Sequence, residues 1–81
     1  MTFKERHKLI DDAWNQYRTL HLRFTTGIKV LSDEEWKNYI NSMDAIREMY
    51  IDSPIADLSG KLCQAFLDDT EYVQKRLKER G

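Results

Sequence analysis

Steps of four and three from Phe3 pick out Phe3, His7, Ile10, Trp14, Tyr17, His21 and Phe24, a stripe that stays on one face of an α-helix. Leu9, Ala13, Leu20 and Leu22 widen the apolar surface beyond that line, so this helix is expected to touch more than one neighbour. Its start is signalled by Thr2 followed three residues later by Glu5, a capping box in which each side chain bonds the other residue's amide. Its end is signalled by Thr25, Thr26 and Gly27: two β-branched residues lower helix propensity, and a glycine there can adopt a left-handed C-cap. The expected helix covers residues 3–25.

Ile28 to Leu31 form a short connection, apolar enough to pack across the end of a bundle. Ser32 and Glu35 then repeat the capping box, and Leu31 and Trp36 occupy the positions of a hydrophobic staple. Asp33, Glu34 and Glu35 place negative charge at the positive end of the helix dipole. A second helix is therefore expected over residues 33–51, burying Trp36, Tyr39, Ile40, Met43, Ile46, Met49 and Tyr50.

Asp52-Ser53-Pro54 reads as a stop and restart, with Pro54 suited to the first position of a third helix over residues 54–79. A turn of two or three residues there makes the second and third helices antiparallel neighbours. The third apolar stripe comprises Ile55, Leu58, Leu62, Ala65, Phe66, Tyr72, Val73 and Leu77. Its register is interrupted at Asp68-Asp69-Thr70, which admits a kink or a break with Asp69 capping a separate short helix. Gly60 inside the pattern is read as a point of close helix approach. The expected fold is an all-α three-helix bundle, a single helical domain over residues 1–81 with the third helix broken or kinked near Asp69.

Size changes the picture by making self-association an expectation. A chain of 81 residues buries only about 60–65% of the surface its unfolded form exposes, so its core leaves a thin margin of stability and a homo-oligomer is expected. Charge is segregated: residues 1–31 carry +3, residues 32–71 carry −7 and residues 72–81 carry +3, for a net charge of −1. That balance argues against direct nucleic-acid binding, which favours a clear positive excess. No run of about 18 apolar residues occurs and the first residues lack the apolar segment of a signal peptide, so the expectation is a cytoplasmic protein without a membrane partner. Cys63, the one cysteine, is expected to be a packed thiol.

Candidate chemistry is sparse. His7 and His21 stand about 21 Å apart along one helix and cannot share a metal ion, and the consecutive aspartates at 11–12 and 68–69 point about 100° apart, so neither pair is a preformed acid and base dyad. No phosphate loop, metalloprotease motif or activated nucleophile is present, so no enzyme, metal or cofactor is expected. The remaining candidate is a contiguous patch of Trp14, Tyr17, Arg18 and His21, where rings can stack a base and Arg18 and His21 can bond phosphate or ribose. The competing reading makes Trp14 and Tyr17 core and Arg18 a solvated flank.

Ala13-Trp14-Asn15-Gln16-Tyr17, Glu35-Trp36, Met43-Asp44-Ala45-Ile46 and the polar, basic stretch after Glu71 give the chain a layout that resembles small uncharacterised proteins of phages, prophages and mobile elements of Gram-positive bacteria. The resemblance implies a protein that binds host machinery or sequesters a nucleotide signal in host defence. The expected function is therefore a non-enzymatic binding protein that acts in the bacterial host cytosol by sequestering a nucleotide. The alternatives are occlusion of a host enzyme or nucleic-acid-binding groove, whose charge the acidic middle would mimic, and a phage structural or assembly role.

Overall fold

Three helices form in the order α1 (Phe3–Thr25), α2 (Asp33–Met49) and α3 (Ala56–Arg80) in the computed structural model, which describes residues 1–27 and 29–80. Ile28, expected to help cross the end of the bundle, lies outside the described residues. There is no strand among the described residues, and all three helix pairs are in contact, α1 with α3 most extensively. The result is an all-α bundle with extents of 49 × 18 × 16 Å.

Local signals set the helix ends, with some differences from expectation. Ser32 and Glu35 form the full capping box, each side chain bonding the other residue's amide at 3.1 Å. At Thr2 only half of the box forms: the Glu5 amide donates to the Thr2 hydroxyl, which donates to the Glu5 carboxylate rather than leaving Glu5 to bond the Thr2 amide. Gly27 does not end α1 through a left-handed turn, since no described glycine has positive φ. The Thr25 and Thr26 hydroxyls instead bond back to the carbonyls of His21 and Leu22 four residues earlier, the latter already accepting from the Thr26 amide.

α2 stops at Met49, two residues earlier than expected, as Tyr50 and Ile51 bond three residues back and tighten the end. Pro54 remains in the connection and α3 begins at Ala56, so the link spans residues 50–55 rather than two or three positions. Ser53 organises it, donating to the Tyr50 carbonyl at 2.8 Å and accepting from the Ile55 amide at 3.2 Å.

α3 is continuous through Asp68-Asp69-Thr70, so the expected break near Asp69 is absent. Its inner face explains the apparent interruption. Ser59, Cys63, Thr70 and Gln74 are buried, at helical spacing, whereas Ala65 and Tyr72 from the expected stripe are exposed. Gly60 is not a close approach, because nothing lies within 4 Å of a β-carbon built there.

The core contains Ala13, Tyr17, Tyr39, Met43, Tyr50, Ile55 and Cys63, with Leu9, Ile10, Leu20, Phe24, Trp36, Ile46, Leu62, Phe66 and Leu67 packed around it. Each of its three tyrosines sends a hydroxyl across a different pair of helices. Tyr17 of α1 meets Ser59 of α3 at 2.7 Å, Tyr39 of α2 meets Thr70 of α3 at 2.8 Å, and Tyr50 at the end of α2 accepts from Gln16 of α1 at 2.7 Å. An unpaired buried hydroxyl costs about 1–3 kcal/mol, so these pairs fix the sliding register of all three helices more firmly than interchangeable apolar contacts would. Burial raises the ionisation of all three phenols above its ordinary range. No buried side-chain polar atom among the described residues lacks a partner.

Gln74, only 7% exposed, fastens the α1–α2 connection to α3. Its side-chain oxygen accepts from the Leu31 amide at 2.7 Å and its nitrogen donates to the Lys29 carbonyl at 3.3 Å. At the opposite end, α1 overhangs the bundle: apart from half-buried Arg6, residues 1–8 are exposed, including Phe3 and His7 from the expected stripe. Met49, expected to be buried, is also exposed.

Candidate functional site

The patch expected at Trp14, Tyr17, Arg18 and His21 divides in the fold because α1 turns these residues toward and past α3. Tyr17 is fully buried, with its hydroxyl committed to Ser59, and presents no surface to a ligand. Trp14 remains 45% exposed. Arg18, which the helix repeat turns away from the core, is exposed and makes no ion pair among the described residues. The His21 side chain is 16% exposed and its Nε2 lies 2.7 Å from an Asp69 carboxylate oxygen.

Phe66 is the organising residue that the patch lacked in sequence. Its ring centroid lies 5.4 Å from that of Trp14, 6.4 Å from Tyr17 and 4.9 Å from His21, so three α1 rings converge on one α3 ring. Such tilted and offset contacts suit aromatic quadrupoles. Asp69, read in sequence as a cap or breaker, instead steadies His21 from the neighbouring helix. No local signal announces that pair, whose members are 48 residues apart.

On the outer side of α3, about 120° around the helix from Phe66, Tyr72 is 60% exposed with the Arg76 guanidinium 5.9 Å from its ring centroid. At the α1–α3 side it is Trp14, accompanied by Arg18, that presents aromatic surface. This geometry provides an anchored ring and a cation, the ingredients of a recognition surface.

The other candidates for chemistry take structural places. Cys63 is buried, its thiol is pushed above its ordinary range by burial, and its sulfur lies 3.9 Å from the Met43 carbonyl oxygen. Asp68 accepts from Gln64, and His7 is exposed on the overhang. No group of three or more His, Cys, Asp or Glu side chains among the described residues is placed to hold a metal ion. No described helix is long and apolar enough to cross a membrane.

A separate groove of about 520 Å³ lies between α1 and α2, lined by residues that include Asn15, Thr19, Leu20, Ser42, Ala45 and Ile46. None of the four patch residues contributes to it. No protein-family model, curated protein or solved structure matches the chain.

Proposed function

We propose that this protein is a small non-enzymatic interaction module that binds a protein partner through its α1–α3 face. The observation that carries the reading is Trp14: its ring is seated on Phe66 yet remains 45% exposed, beside the free guanidinium of Arg18. An aromatic side chain already held by its neighbours loses little conformational freedom on docking, and Trp and Arg are enriched among residues that dominate interface energetics. With the phage-protein layout, the partner class is a host protein in the bacterial cytosol, whose working surface the module occludes.

Capture from a bacterial lysate with wild-type protein and with Trp14→Ala and Arg18→Glu tests the reading. Both positions are exposed enough to change without emptying the core. A specific partner retained by wild type and lost from both folded variants supports it; equal capture by all three overturns it. The nucleotide-sequestration reading rests on the same Trp14 and Arg18, which suit base stacking and phosphate bonding, while buried Tyr17 takes no part. Titration with a nucleotide panel separates the two: saturable micromolar binding lost with Trp14→Ala favours sequestration.

A further inference from the structure

We propose that the α1–α2 groove is a two-fold interface at which a second copy of this chain docks to form a four-helix centre. The groove's composition sets it apart from the rest of the surface. In a chain that is 33% charged, the lining residues Asn15, Gln16, Thr19, Leu20, Ser42, Ala45 and Ile46 are all neutral, and Arg23 stands at one end. Leu20 and Ile46 are half-buried apolar groups, while the small side chains beside them allow another helix to approach closely.

The occupant follows from the charge of the two walls. Beside the groove, α1 ends on the basic Arg23, whereas α2 opens on Asp33, Glu34 and Glu35. A two-fold axis running along the groove places α1 of one protomer over α2 of its partner and does the same on the other side, so Arg23 of each copy meets the acidic opening turn of its partner's α2. The alternative axis, perpendicular to the groove, would set α1 on α1 and α2 on α2. Both axes make facing helices antiparallel, so charge rather than the helix dipoles chooses the first.

This symmetry predicts particular contacts. Ala45 lies 11 residues after Glu34, close to three turns, so both fall on the same line of α2, and Met49 extends that line by one turn. Met49, 64% exposed in the single chain, thereby gains apolar cover. Arg23, one turn beyond Leu20, comes level with the opening turns of the partner's α2 and faces Glu34 there. The three sides of the rod share 5966 Å² of exposed surface, so one side has on the order of 2,000 Å², ample for the roughly 800 Å² per partner that stable dimers bury. The α1–α3 faces remain on opposite outer sides, giving a bivalent module.

Sedimentation equilibrium over micromolar to submillimolar concentrations tests the proposal with the full chain. The expected species has twice the 9.7 kDa chain mass. Ala45→Arg should make it monomeric, with circular dichroism unchanged because Ala45 is exposed. Arg23→Glu should weaken dimerisation at least tenfold, and Arg23→Glu combined with Glu34→Arg should recover most of that loss. A monomer throughout the range, a dimer indifferent to Ala45→Arg, or no recovery in the folded double variant would overturn it.

Discussion

Replacing Thr70 with valine preserves side-chain shape and β-branching while removing one hydroxyl, so it isolates the Tyr39–Thr70 bond from packing. Thr70 spends its proton on the Phe66 carbonyl at 2.9 Å and must therefore accept from the Tyr39 hydroxyl at 2.8 Å. Both residues are fully buried, so Thr70→Val strands a phenolic donor where water cannot reach it. That should cost about 2 kcal/mol. Tyr39→Phe removes the donor but leaves the Thr70 proton on Phe66, and the ring keeps its packing against Phe24 and Trp36, for a cost of about 1 kcal/mol. With both hydroxyls gone no unpaired group remains, and the double variant should lose no more than about 1 kcal/mol. Urea unfolding followed by circular dichroism at constant slope should thus give a coupling energy of about 2 kcal/mol. Simple additivity, with the double variant near a loss of about 3 kcal/mol, would refute the register role assigned to this pair.

Glu35 gives a pH prediction: the Lys29 ammonium first, and the Ser32 amide next, lower its carboxyl from 4.5 to about 2. Because the folded value is depressed, its stabilising effect is present above the unfolded value and is lost as pH falls from 4.5 toward 2; an NMR titration should find that low midpoint, and Lys29→Met should raise it. Cys63 should resist a thiol reagent in the folded protein and react fully in urea, because burial both shields the thiol and suppresses its thiolate; prompt native-state labelling would contradict this placement. Gly60→Ala should raise stability by about 0.5–1 kcal/mol in chemical denaturation, since the added methyl meets no atom within 4 Å and helix propensity improves.

The openings of α1 and α2 were legible because their information is local: Thr2 and Ser32 bond groups only three residues away. The inner face of α3 was obscured because it mixes polar and apolar residues. Ser59, Thr70 and Gln74 look solvent-facing until Tyr17, Tyr39 and the α1–α2 connection arrive to pair with them. Periodicity reads hydrophobicity but cannot read a partner on another helix, and so it turned the interval around Asp69 into an apparent break. The aromatic patch was ambiguous for a related reason. One helical stripe sent Tyr17 inward, left Trp14 at the edge and carried Phe3 beyond the bundle, according to where α3 begins. Nothing near those residues in sequence specifies that limit.

The Gln74 clip also bears on the order in which the protein is made. It holds a connection 43 and 45 residues upstream, while Tyr17 and His21 find their partners 42 and 48 residues downstream. While the ribosome is still translating the middle of the chain, α1 has no α3 on which to seat its rings, and loop closure must wait for the distant segment. The bundle consequently completes itself only once α3 has been made. Until then the rings that α1 seats on Phe66 stand in water, exposed apolar surface of the kind that promotes misassociation.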